Sequence, residues 1–239
     1  MAALVSKTRM LALVKDLQWN DVARGLKENP VLLSFRDERG RNWLHLCCGV
    51  KVRERGLRTR DSIKTADALL NSGIDIRDAA FEEKDFKATA LWYAIAHGQN
   101  IKLAQYLLNR GSEPHYCMFA AAYNNDVASI RLLAENGAEI DPSAEDSTRF
   151  LFAIQWSRFQ AAEQLLKLGA NVNWENSKQM TALHYLLKKG SDLRYIRMLF
   201  RHGAGTDLKD AQGKTAAEIM ACKRDPEFRK LVAQVQVAL

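Results

Sequence analysis

The strongest constraint on the fold is a recurring segment whose best copy runs from Met180 to Thr215. Met180-Thr181-Ala182-Leu183-His184 opens one copy, and Gln212-Gly213-Lys214-Thr215-Ala216-Ala217 opens the next. Between them Ile196, Leu199 and Phe200 sit at helical spacing, and His202-Gly203-Ala204 closes the unit. A threonine at a helix start can cap the unpaired N–H groups of the first turn. Gly203 follows the second apolar run, where a left-handed residue ends a helix and glycine adopts it without strain. Each unit is too short to bury its own apolar face, so copies must stack on one another.

The closing glycines Gly73, Gly111, Gly137, Gly169 and Gly203 are separated by 38, 26, 32 and 34 residues. This pattern resembles the ankyrin repeat, whose T-P-L-H-x-A opening, paired helices and Gly-Ala-Asp ending recur about every 33 residues. The resemblance covers nearly the whole chain. It implies an all-α, ankyrin-repeat solenoid of stacked helix-turn-helix units, with short hairpin fingers and helical caps at both ends. The units partition as one domain, 1–239: N-terminal capping helices at 1–36, about five central repeats at 37–210 and a C-terminal capping repeat at 211–239. The last helix is expected to start at Asp225-Pro226 and carry Phe228, Leu231, Val232 and Val235 on one face.

Individual units depart from the pattern. Asp37 to His45 has Asn42 and Trp43 in place of the usual Thr-Pro, and a basic segment, 51–60, is inserted before the second helix of that repeat. The insertion is expected to be a surface loop, since such loops tolerate added length. The finger before Thr89 is four residues longer than those before Thr181 and Thr215, and the unit after Gly111 is short, with Pro114 to Tyr116 replacing a full hairpin.

Composition narrows the function classes. Residues 1–60 hold thirteen Lys and Arg against six Asp and Glu, residues 61–177 ten against sixteen, and residues 178–239 twelve against six, so basic ends flank an acidic middle. No apolar run approaches the roughly eighteen residues of a membrane span, and no membrane association is expected. Lys7 and Arg9 interrupt the first fourteen residues, which lack a small-residue cleavage site and do not read as a signal peptide. The four cysteines, 47, 48, 117 and 222, have no C-x-x-C spacing, and free thiols fit a reducing compartment. A cytoplasmic location is expected. The degenerate openings look like those of a bacterial member of the family, for which export without a signal peptide is the alternative.

Catalytic signatures are absent from the sequence: there is no P-loop, nucleophile elbow, H-E-x-x-H or dinucleotide fingerprint, so no enzyme is expected. Cys47, Cys48 and His45 together lack the four tetrahedral ligands zinc requires, and no cofactor or metal is expected. His45 and His184 fall on the structural histidine of the resemblance.

The resemblance implies a protein-binding surface on the hairpin tips and the outer side of each first helix. By position, that surface takes in Arg39, Arg41, Phe86, His97, Tyr123, Trp156, Lys178, Met180, Lys188 and Lys189. Phe86, Tyr123 and Trp156 are expected at its centre, because interface hot spots favour aromatic residues and arginine. Trp43, Trp92 and Trp174 are expected to be structural. The expected partner is a protein, and the chain is expected to be a monomer. The alternative is nucleic acid or another polyanion, bound at the basic N-terminal end by Arg53, Arg55, Arg58 and Arg60 of the insertion.

Overall fold

A computed structural model of the chain describes residues 4–84, 86–143, 146–228 and 230–231. It contains thirteen named α-helices, one 3-10 turn and one two-stranded sheet among these residues. The chain clusters into two compact units, each of which is a stack of helix pairs. The first runs to Ala121 and takes in Glu135–Ala138; the second holds Ala122–Ala134 and the chain from Glu139 onward.

In the first unit the helices are α1 (Lys7–Lys15), α2 (Trp19–Glu28), α3 (Trp43–Cys48), α4 (Thr59–Asn71), α5 (Ala90–Ala96) and α6 (Ile101–Asn109), with a 3-10 turn at Pro30–Ser34. The first helices of successive pairs, α1, α3 and α5, pack side by side, and so do the second helices α2, α4 and α6. This double file follows from residue size. Cys47, Cys48, Ala94 and Ala104 are completely buried, so helix backbones approach closely. At Gly98 a Cβ atom would lie 2.2 Å from the Cys48 carbonyl oxygen, and any larger residue there would force the neighbouring pairs apart.

The α3 register is fixed by four contacts. Asn42 caps the helix through the His45 N–H at 3.0 Å, while His45 Nδ1 accepts the Asn42 N–H at 3.1 Å and closes a capping box. Trp43 is fully buried, stacks on Phe35 with ring centroids 3.8 Å apart, and donates from Nε1 to the Leu32 carbonyl at 2.7 Å. The indole therefore ties the 3-10 turn to the first central repeat. The long finger expected before Thr89 forms strands β1 (Ala79–Glu83) and β2 (Phe86–Thr89), an antiparallel pair with a register irregularity between Ala79 and Glu82.

The helix α7 (Cys117–Tyr123) crosses from the first unit into the second, which continues with α8 (Val127–Glu135), α9 (Arg149–Gln155), α10 (Phe159–Lys167), α11 (Ala182–Lys189), α12 (Leu193–Arg201) and α13 (Ala216–Ala221). The helices α9 and α13 both pack on α11, and α9 and α11 pack on their partners α10 and α12. Thr148, Thr181 and Thr215 cap α9, α11 and α13 through their hydroxyls, and His184 and Glu218 close capping boxes with the last two. Helix resumes at 226–228, and Leu231 is buried. Val232 and Val235, expected on the same face, lie outside the described residues. No described helix is long and apolar enough to cross a membrane.

Candidate functional site

The basic insertion is only partly a loop. Turns occupy 52–56, but α4 begins at Thr59, so Arg58 is its N-cap residue and Arg60 lies in its first turn. Val52 is buried. Arg55 donates to the Lys15 carbonyl and pairs with Asp16 at 2.8 Å, which docks the turn on the C-terminal end of α1. Arg58 pairs with Asp61 at 2.8 Å. Two of the four arginines expected to meet an anion are thus already neutralised within the chain, leaving Arg53 and Arg60 exposed.

On the first unit, Arg39 and Arg41 belong to a hairpin tip folded around Asp37. The Asp37 carboxylate accepts the Arg39 and Arg41 backbone N–H groups at 3.0 and 2.9 Å and pairs with the Arg41 guanidinium at 2.7 Å. Partial burial opposes ionisation of Asp37, but the Arg41 and Arg39 hydrogen bonds outweigh it and hold the carboxyl below its ordinary range. His97, at the end of α5, is exposed, stacks on Tyr93 at 5.3 Å and meets the Trp92 edge at 5.2 Å. Desolvation, and then the positive charges of Arg41, Lys51 and Arg39, hold its imidazole below the ordinary histidine value.

Phe86 is half-buried and sits within 6.0 Å of Phe81, Trp92 and Tyr116 in one aromatic cluster, from which Phe81 projects with 44% of its surface exposed. Tyr123 and Trp156 belong to the second unit, so the three aromatic residues grouped by sequence position fall into two clusters.

In the second unit Tyr123, at the end of α7, and Trp156, just after α9, are 43% and 53% exposed. Their ring centroids are 5.8 Å apart, and Phe152 stacks on Trp156 at 5.6 Å and approaches Tyr123 at 6.3 Å. Three rings at i, i+4 and a neighbouring helix end thus make one apolar patch, whose edges remain open to solvent. The Arg158 guanidinium lies over the Tyr123 ring at 5.4 Å, and its Nε is buried without a hydrogen-bond partner. Lys189 reaches across from α11 and donates to the Gln155 carbonyl at 3.2 Å and the Ser157 hydroxyl at 2.7 Å.

Lys188 takes a different direction. Its ammonium pairs with Asp210 at 2.9 Å, also reaches Gln212 at 3.1 Å and lies 3.9 Å from the Met180 sulfur. The Lys188 hydrogen bond holds the Asp210 carboxyl below its ordinary range. Lys178 is exposed on the preceding tip, where its carbonyl accepts the Ala211 N–H at 3.0 Å. Lys188 thus joins Met180 to Asp210 and Gln212, Lys178 is tied to the next tip by its backbone, and Lys189 joins the rings.

Sequence position did not mark Phe152 and Arg158, which complete the second cluster, nor Phe81 and Tyr116, which complete the first. The Phe152 and Trp156 spacing of four within a helix was the available signal. Trp43 is structural as expected, whereas Trp92 and Trp174 are only half-buried, Trp92 joining the first aromatic cluster. Cys47, Cys48 and Cys117 are buried thiols; burial pushes Cys47 up to about 12. Among the described residues, no three His, Cys, Asp or Glu side chains are gathered as a metal site.

Two ankyrin-repeat profiles match the chain, one of three copies over residues 91–176 and one of many copies over residues 165–220. Human inversin is 31% identical over 128 residues, which cover 53% of this chain and 12% of inversin. Human rabankyrin-5 is 30% identical over 104 residues, covering 38% of this chain and 9% of its own length. The chain thus spans a small part of the curated relatives it matches. Among solved structures, the ankyrin repeat domain of human ASB11 superposes with a TM-score of 0.70 at 18% identity, covering 95% of this chain and 96% of that one. The ankyrin repeat domain of Bcl-3 gives 0.72 at 20% identity, with coverage of 94% and 97%. With the capped helix pairs, the closing glycines and these matches all agreeing, the chain belongs to the ankyrin-repeat family.

Proposed function

We propose that this chain is a non-catalytic interaction module that seats a partner protein in the groove of its repeats. Ankyrin repeats are in general protein–protein interaction modules. The contact residues would be Arg39, Arg41, Phe86 and His97 on the first unit, and Tyr123, Trp156, Lys178, Met180, Lys188 and Lys189 on the second. The observation that carries this reading is the solvent-open patch of Tyr123, Phe152 and Trp156. A protein selected only to fold has no need to hold three large rings together at the surface, and such patches mark binding sites.

No observation favours the polyanion reading, because Arg55 and Arg58 are committed to Asp16 and Asp61. A photo-crosslinking residue at position 156 tests the protein-binding proposal. It should form a discrete adduct with one protein in lysate, while the same group at the exposed Lys102 should not. Equal, diffuse labelling from both positions would sink the proposal.

A further inference from the structure

We infer that the patch around Trp156 receives a short acidic segment of the partner, whose apolar side chain covers the rings and whose carboxylates meet Arg158 and Lys189. This inference rests on the interaction reading above and names the chemistry of the partner. Three observations support it.

The first is charge. Arg158 and Lys189 flank the rings, and neither forms an ion pair with a carboxylate among the described residues: Lys189 contacts a carbonyl and a hydroxyl, and Arg158 contacts a ring. Three acids of the second unit already have partners of their own. Asp126 accepts from the Ser129 N–H and hydroxyl, Asp146 from the Ser177 hydroxyl, and Asp210 from Lys188. A carboxylate arriving at the patch therefore meets two cations that pair with no carboxylate among the described residues.

The second is unused hydrogen-bonding capacity. The Arg158 Nε is buried and unsatisfied, and a guanidinium offers a planar, bidentate fork that matches a carboxylate. The terminal nitrogens of Arg158, beside the Tyr123 ring and outside any ion pair among the described residues, are the donors an arriving carboxylate can reach. Lys189 retains donor capacity beyond its two contacts.

The third is shape. Phe152 lies on Trp156 with the ring planes 29° apart, and Tyr123 is tilted 57° to the indole. The rings therefore pack on one another at mixed angles and do not stand as a row of separate parallel plates. A nucleobase stack needs free parallel faces together with a basic track along the backbone. Two cations beside a closed ring cluster suit one or two carboxylates next to a leucine, isoleucine or aromatic side chain.

Selection of random peptides of about twelve residues, displayed against the full chain, tests this. The recovered peptides should pair Asp or Glu with a large apolar residue. Their binding should weaken about tenfold in Trp156→Ala and about tenfold in the double variant Arg158→Gln, Lys189→Gln, which keeps side-chain donors and removes both charges. Trp156 is more than half exposed, so its removal leaves no core cavity, and the glutamine variant probes charge independently of it.

Peptides that need Trp156 but show no acidic bias, or that bind the glutamine variant unchanged, would overturn the acidic-segment inference and leave the interaction reading standing. Peptides indifferent to both variants, or no enrichment at all, would defeat the inference; indifference would also remove this patch from the interaction surface. A single-stranded oligothymidylate that binds the native chain tightly and fails with Trp156→Ala would overturn it in favour of nucleic acid.

Discussion

His45 carries two roles in one ring, and the accepting one depends on its being neutral. Nδ1 accepts the Asn42 N–H, and Nε2 at 3.0 Å donates to the Asp78 carbonyl. Burial drives its pKa down from 6.5 to about 4, even though Asp78 opposes that shift. Protonation at Nδ1 would break the capping box and leave a charge inside the stack. Because the folded value lies below the unfolded one, the unfolded chain binds more protons between them, and stability is lost as pH falls from about 6.5 to about 4. The loss should approach 3 kcal/mol, at about 1.4 kcal/mol per pH unit of displacement. Urea unfolding at pH 7 and pH 4.5 should show a much steeper acid loss for the native chain than for His45→Gln. The histidine itself is legible in the sequence from the Leu-His spacing of the repeat. The left-handed backbone at Leu17, Gln99, Asn125 and Ser157 is not, because none of these is glycine. Each lies two residues before the second helix of its pair, where the tight turn, and not residue preference, imposes the conformation.

At the scale of elements, the segment 51–60 shows how one charged run divides into different tasks. Arg55 bridges to α1, whereas Arg53 and Arg60 point into solvent. Arg55→Ser should lower unfolding stability by about 0.5–1 kcal/mol, a modest figure because both partners of the ion pair are about half exposed. Part of that loss should vanish at high salt. Arg53→Ser and Arg60→Ser should each stay within about 0.5 kcal/mol of the native chain. Equal effects at all three positions would show that the turn is not docked by Arg55. The excess of positive charge could be read from the sequence, but its distribution could not, because Asp16 is thirty-nine residues away from Arg55. The extended finger was legible as extra length before Thr89. Its hairpin pairing and the gathering of Phe81, Trp92 and Tyr116 onto Phe86 depend on non-local contacts.

For the molecule as a whole, stacking makes stability a sum of repeat and neighbour terms, so residues between pairs and residues at the open surface separate into two classes. Trp43→Ala should cost about 3–5 kcal/mol and lower the thermal midpoint strongly, because it empties a buried site and orphans the Leu32 carbonyl. Trp156→Ala, removing a ring that is already half in water, should cost about 1 kcal/mol or less. Thermal unfolding of the two variants separates a structural tryptophan from one available to a partner. The periodic leucines, capping threonines and closing glycines made the fold readable, since each is set by local backbone geometry or by the neighbouring turn. Partner residues carry no such periodic signal, and Arg158 acquires its position only when Tyr123 and Phe152 are brought to it.

The cysteines turn this stack into its own clock. Cys222 is exposed, whereas Cys47, Cys48 and Cys117 are sealed in the first unit. Burial lifts their thiols away from the reactive thiolate form. A thiol reagent under native conditions should therefore modify one site at once and three only when that unit opens. The slow phase times the breathing of the first unit without any label being built into the protein.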